Sequence, residues 1–143
     1  MRLGFAGSRR GLTAEQRRAV REYLLQLRPR AFHHGDCRGA DALVARLVWG
    51  ELGECRIVCH PPSSQAMRAF FPHADETRPE AYFTIRNRRI VEETDRLLAT
   101  PKEDREPRFG GTWNTVRHAR KCGRPVTIIW PDGSLTEECG GQQ

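Results

Sequence analysis

The chain is predicted to be an α/β protein, a three-layer α/β/α sandwich around a five-stranded, mainly parallel sheet of order 3-2-1-4-5. Three observations predict it. Short apolar runs alternate with helical patterns along the whole length. The last run, Pro125-Val126-Thr127-Ile128-Ile129-Trp130, is almost continuously apolar, as in a strand buried on both faces. Three runs lead through glycine-containing turns towards helices, and right-handed crossovers leave this strand order as the simplest.

Leu3-Gly4-Phe5-Ala6 is the first strand, and it ends in the turn Gly7-Ser8-Arg9-Arg10-Gly11. Thr13 with Gln16 three residues on is a capping box; Val20, Leu24 and Leu27 supply the apolar stripe of the helix, and Pro29 stops it. The second strand, Ala31-Phe32-His33-His34, ends in Gly35-Asp36-Cys37-Arg38-Gly39. A helix over about 40–52 follows, with Leu43, Leu47 and Val48 on one face and Gly53 as its C-cap. Cys55 to His60 is the third strand, closed by Pro61-Pro62. Residues 63–78 are the least patterned, a long loop with a short helix around 65–70.

Pro79 suits a first helical position, so a helix is expected from there through Ile85, Arg89 and Glu93. The fourth strand falls near 96–99. Loop 101–109, rich in proline and charge, suits a mobile flap. Gly110-Gly111-Thr112-Trp113-Asn114-Thr115 then opens a helix from Val116 to Cys122, and Pro131-Asp132-Gly133-Ser134 is a turn after the last strand. One domain is expected over 1–136, with a polar, poorly ordered tail over 137–143.

The length, 143 residues, suits a single core. A net charge of +6, carried by 22 arginines and only 2 lysines, favours an acidic partner. No apolar run approaches the ~20 residues that span a bilayer and the first residues lack a signal-peptide core, so a cytoplasmic protein without a membrane partner is expected. The 5 cysteines are odd in number and irregularly spaced, as free thiols are. No metal is expected, because His33 and His34, adjacent on a strand, point to opposite faces.

The three glycine turns carry the functional reading. Backbone N–H groups and the positive end of a helix dipole at such a turn hold anions, phosphate first. In the expected order the chain reverses between strands one and four, and ligands bind at that switch point. It would bring Gly7, Ser8 and Arg9 beside Gly110, Gly111 and Thr112, with Gly35, Asp36, Arg38 and Gly39 one strand further out. Ser8, Thr112 and Thr115 offer hydroxyl donors, while Arg9 and Arg86 offer bidentate charge-assisted pairs. Asp36 and Asp41 cannot hold phosphate but accept from a ribose or a base; Asp41 reads equally well as a helix cap, Asn87 as a bridge between backbone groups, and Trp113 as core. No cofactor is required by anything in the sequence.

These motifs resemble those of the SLOG superfamily of Rossmann-like domains, which includes DNA-processing protein A (Smf) and the LOG phosphoribohydrolases. Gly7-Ser8-Arg9-Arg10 is similar to its G-S-R turn, and His34-Gly35-Asp36-Cys37-Arg38-Gly39-Ala40-Asp41 to its S-G-x-A-x-G-x-D turn. Arg86-Asn87-Arg88-Arg89-Ile90 resembles its R-N-R-x-I helix, and Gly111-Thr112-Trp113-Asn114-Thr115 its G-S-x-x-T turn. The resemblance covers nearly the whole chain, and its size resembles the standalone YspA-type branch. It implies a Rossmann-like nucleotide-binding domain; relatives often dimerise through the helix matched by the Arg86 helix, and whether this chain forms such a homodimer or a higher oligomer is left open by the sequence. LOG enzymes carry P-G-G-x-G-T-x-x-E with a catalytic glutamate; here Phe109 precedes the glycines, and Arg117 and His118 stand where that carboxylate would fall.

Three functions follow. The first is binding or sensing of a nucleotide or nucleotide derivative, a phosphate-bearing small molecule. The second is hydrolysis of an N-glycosidic or phosphate bond in such a ligand, with Asp36 as acid or nucleophile and Arg86 as charge stabiliser. The third is single-stranded DNA binding, implied by the resemblance to DNA-processing protein A, which would need a basic groove with aromatic platforms.

Overall fold

The computed structural model describes residues 1–141. One sheet contains β1 (Arg2–Gly7), β2 (Ala31–His34), β3 (Arg56–Cys59), β4 (Glu76–Thr77), β5 (Arg96–Thr100), β6 (Val126–Ile129) and β7 (Leu135–Glu138). Its order is β4-β3-β2-β1-β5-β6-β7. Every neighbouring pair is parallel except β6 with β7. The sheet thus has seven strands rather than the expected five, and its full order differs from 3-2-1-4-5 because a strand is added at each edge. The five expected strands lie side by side inside it.

Both added strands lack the apolar pattern of a buried strand. β4 is two residues, Glu76 and Thr77, too short to show a period. β7 is largely exposed and polar. It pairs with β6 through the turn at 131–134, where Asp132 Oδ1 accepts hydrogen bonds from the backbone N–H and the hydroxyl of Ser134. The segment expected as a tail therefore begins inside a strand: Glu137 pairs with Thr127 and Glu138 with Val126. Residues 142–143 of that tail lie outside the described residues.

Four α-helices cover the two faces: α1 (Ala14–Leu27), α2 (Ala40–Glu51), α3 (Phe83–Glu92) and α4 (Gly111–Lys121). The capping box of α1 is formed in both directions, Gln16 N–H to Thr13 Oγ1 and Thr13 N–H to Gln16 Oε1, each 3.0 Å. Side chains alternate across the sheet as a two-residue period requires. Leu98 joins Phe5, Val20, Leu24, Phe32, Val44 and Val48 in the core beneath α1 and α2. Leu97 and Ala99 join Trp113, Val116 and Ile128 in a second core beneath α3 and α4. Each large side chain buried this way contributes about 1.5–3 kcal/mol.

Two helix starts differ from expectation. α3 begins at Phe83 rather than near Pro79, because Ala81 donates to Pro61 O at 3.2 Å and accepts from Ser63 N–H at 3.0 Å, drawing the segment before it alongside 61–63. α4 begins at Gly111 rather than Val116, so the motif 110–115 is its own first turn. Between β3 and β4 the short helix is a single 3₁₀ turn, Gln65–Met67. No helix is long and apolar enough to cross a membrane among the described residues.

Candidate functional site

A cleft of about 680 Å³ opens at the carboxyl ends of β1 and β5, where the chain reverses direction. Its walls are the loop after β1, the first turn of α3 and the first turn of α4. Of the residues singled out by sequence, it brings together Gly7, Ser8, Arg9, Gly35, Arg86, Asn87, Gly110, Gly111, Thr112 and Thr115. Asp36, Arg38, Gly39 and Asp41 do not line it.

Arg86 is the most unusual group in the wall. It is 7% exposed, yet no ion pair among the described residues includes it. Its Nε donates to Asn87 Oδ1 at 2.8 Å, and its Nη1 donates to the carbonyls of Gly35 and, at 3.3 Å, of His60. The guanidinium is therefore held rigidly by neutral acceptors. Asn87 thus orients the guanidinium. The buried Asp41 carboxylate offsets this charge in part without forming an ion pair with it, and a guanidinium so buried is stabilised further when an anion joins it.

Two helix N-termini point into the same cleft. Among the described residues neither α3, capped by Tyr82, nor α4, capped by Gly110, has a side-chain cap bond, so their first N–H groups remain available to an anion. The N-terminus of α2 differs, since Ala40 N–H donates to Ser8 O at 2.9 Å. The glycines divide by role. A Cβ on Gly7 would lie 2.5 Å from Ala40 Cβ and 2.6 Å from Thr100 Oγ1, so this glycine lets β1 pack against α2. A Cβ on Gly111 would meet nothing within 4 Å. Gly111 itself lines the cleft.

The other named side chains are less free than their types suggest. Ser8 Oγ accepts from Arg10 N–H at 3.0 Å, and Thr115 Oγ1 donates back to Gly111 O at 3.2 Å. Arg9 is exposed and stacks over the ring of Phe83, its guanidinium carbon 4.9 Å from the centroid; Arg86 lies over the same ring at 5.5 Å. The charged groups of the wall are Arg9, Arg10, Arg86, Lys102 and Glu103, and Glu103 accepts from Trp113 Nε1 at 3.1 Å. The cleft is therefore net positive.

The loop after β2 closes on itself instead of on a ligand. Asp36 is 1% exposed; its Oδ2 pairs with Arg68 Nε at 2.9 Å and its Oδ1 accepts from Phe71 N–H at 3.0 Å. Its own N–H donates to His34 Nδ1, which leaves the His34 Nε2 proton to Cys59 Sγ at 3.2 Å. Asp41 accepts from Cys37 N–H at 3.1 Å, and burial raises its carboxyl to about 6, an effect that the Arg86 charge opposes. Arg38 is exposed outside the cleft, and Gly39 sits against the Arg9 carbonyl. The anion turn read at 35–39 is thus a brace built from two carboxylates.

Loop 101–109 is fastened rather than free. Arg117 donates to Glu106, to the carbonyl of Arg108 at 2.9 Å and to that of Pro107, while Arg120 reaches Glu106 at 2.9 Å. Phe83, Thr84 and Lys102 line the cleft unanticipated by sequence. The spacing of Phe83 and Arg86, three residues apart on one helix, was the available signal. At the rim stand two exposed aromatics, Tyr82 and Phe109.

No family model matches the chain, and no curated protein matches its sequence. Solved structures do match. The X-ray structure of TM1055, a structural genomics target, aligns with a TM-score of 0.62 at 19% identity, over 87% of this chain and 71% of that one. The molybdenum cofactor binding protein from the phototrophic bacterium Rippkaea orientalis aligns with a TM-score of 0.69 at 16% identity, over 90% of this chain and 76% of that one. The second overturns the expectation that no cofactor is required, since a protein of this fold is a cofactor-binding one. At these identities the likeness is one of fold, and the fold is a Rossmann-like α/β domain.

Proposed function

We propose that the protein binds a small phosphate-bearing ligand with a planar ring, a nucleotide, a nucleotide derivative or a cofactor of that chemistry, in the switch-point cleft. The observation that carries this reading is Arg86, a buried guanidinium held by neutral acceptors and facing two uncapped helix N-termini. Its charge outweighs the helices: a charge-assisted hydrogen bond is worth about 1.5–3 kcal/mol, against about 0.3–1 kcal/mol for one helix terminus. The phosphate sits between Arg86, Thr112 and the N–H groups of the first turn of α4, and the ring lies against Phe109 or Tyr82. Arg9 closes over the anion from the loop after β1.

The motif resemblance to the SLOG superfamily supports the same reading, as does the cofactor bound by a structural neighbour. Hydrolysis finds no support in Asp36, which lies outside the cleft with both carboxylate oxygens engaged. Binding, without turnover, is the function proposed.

A thermal-shift screen tests it, with nucleoside mono- and diphosphates, ADP-ribose, NAD and cyclic nucleotides, each mixture chromatographed after incubation. Stabilisation of about 2.7 kcal/mol is expected at a hundredfold excess over Kd, with the ligand recovered intact. Consumption of the ligand would make the protein a hydrolase. Stabilisation by single-stranded DNA alone would exclude the proposal.

A further inference from the structure

Away from the cleft, β2, the residue after β3 and the end of α3 bring three metal-ligating side chains together. His33 Nδ1 lies 2.8 Å from His60 Nε2, and Glu93 Oε1 lies 3.9 Å from each of these nitrogens. The fold arranges this through Gly4, the β1 partner of His33. A Cβ there would come within 2.8 Å of Thr94 Oγ1 and 3.1 Å of Ile90 Cγ2, so only glycine lets the last turn of α3 settle on the sheet and carry Glu93 over the two imidazoles.

The group is poorly explained as core packing. Both imidazoles are buried, and the proton between them satisfies only one nitrogen on each ring. His60 Nδ1, on the other side of that ring from the shared proton, has no hydrogen-bond partner among the described residues and gains none from a metal bound at Nε2. Glu93 stands too far from either imidazole to accept a hydrogen bond. Its one strong contact is Arg78 Nε at 2.9 Å, and Arg78 also reaches Glu76 at 3.3 Å.

We propose that His33 Nδ1, His60 Nε2 and Glu93 Oε1 bind one divalent transition-metal ion of the zinc class. Two imidazoles and a carboxylate are a known zinc ligand set, with bonds of about 2.0–2.2 Å. Tetrahedral ligands at that length stand about 3.3 Å apart, so the histidines part slightly and the carboxylate closes slightly. Arg78 then plays the part usual for a charged neighbour of a metal-bound carboxylate, hydrogen-bonding to it and fixing its direction. Glu93, with 32% of its side chain exposed, marks the entry path and leaves a fourth position for water.

The other cluster of this kind, His34 with Asp36 and Cys59, does not qualify. The Asp36 N–H occupies His34 Nδ1, and Asp36 is already paired with Arg68. The proposed ion would sit beside the cleft without belonging to it, since the carbonyl of His60 accepts from Arg86. It would tie α3, which carries Arg86, to the sheet at both ends. The proposal stands independently of what the cleft binds.

Chelator-stripped full-length protein, titrated with zinc against a chromophoric competitor and with cobalt(II) followed by its visible absorption, tests this. Expected are one tight equivalent, a four-coordinate cobalt spectrum without a sulfur-to-metal band, and a higher Tm. Losing a group that merely hydrogen-bonds a metal ligand weakens binding about 10–100-fold. Glu93→Gln and His33→Gln should therefore each lower affinity at least about tenfold, and the half-exposed Glu93 site keeps the first of these folded. His118→Gln, which disrupts the surface group of His118, Glu92 and Cys122, should change nothing. Absence of stoichiometric uptake would overturn the proposal. So would a thiolate band, or uptake lost in His118→Gln and retained in Glu93→Gln and His33→Gln.

Discussion

Arg86 separates a site from a merely folded loop. Arg86→Lys keeps the charge but loses the fork that spans Asn87, Gly35 and His60, and a lysine is not a conservative replacement at such a position. Affinity for the stabilising nucleotide should fall by about 2 kcal/mol or more, roughly thirtyfold, as measured by calorimetry. The glycines predict opposite outcomes. Gly7→Ala forces a methyl against Ala40, Thr100 and Phe5 and should cost about 1–3 kcal/mol in denaturant unfolding. Gly111→Ala should leave stability level or slightly raised, since its methyl meets nothing within 4 Å, while weakening ligand binding because Gly111 lines the cleft. Sequence alone treats these two glycines alike, since both stand in a glycine turn that leads into a helix. Asp36 shows the same limit from the other side. Its partners, Arg68 and the Phe71 N–H, come from the least patterned stretch of the chain, so nothing near Asp36 in sequence announces that it is spoken for.

Among the elements, those legible in the sequence are the ones whose faces are buried against a layer. β1, β2, β3, β5 and β6 carry apolar residues on both faces, and α1 announces itself through a capping box and a stripe. β4 and β7 escaped because edge strands gain their stability from one partner and need no apolar period. The start of α3 was misplaced because Pro79 fits a first turn locally, whereas a bridge from Ala81 to 61–63 takes that stretch out of helix. The loop at 101–109 reads as mobile from composition, and long-range arginines decide otherwise. Replacing both Arg117 and Arg120 by alanine should free it: protease cleavage and amide exchange within 101–109 should rise severalfold while the global Tm falls little. Unchanged protection in the double variant would show that the Trp113–Glu103 contact and the Pro101 carbonyl suffice to hold the loop.

For the whole molecule, buried titratable groups set the response to acid. Burial lowers His33 and His34 to about 4 and His60 to about 2, from 6.5 when unfolded. The unfolded chain therefore binds more protons than the folded one below pH 6.5, and stability drains away as pH falls from there towards 4. Asp41 acts in the opposite sense. Raised from 3.8 to about 6, it contributes stability that is lost as pH rises through that interval. Three groups outweigh one, so the Tm of chelator-treated protein should fall steadily between pH 7 and 4.5. Asp41→Asn, which keeps an oxygen for the Cys37 N–H, should steepen that fall.

The switch-point cleft itself follows from strand order, and the order of the five inner strands follows from their apolar runs and right-handed crossovers. What sequence could not show is which of the three glycine turns still has free N–H groups. The central claim is that an anion sits between Arg86 and the first turns of α3 and α4. Amide chemical-shift mapping of isotope-labelled protein titrated with AMP, ADP and pyrophosphate tests it most directly. The account predicts the largest shifts at 83–86 and 111–114, saturating together, with 35–41 little moved. No saturable shift at the two helix starts with any of the three, or shifts concentrated at 35–41, would contradict it.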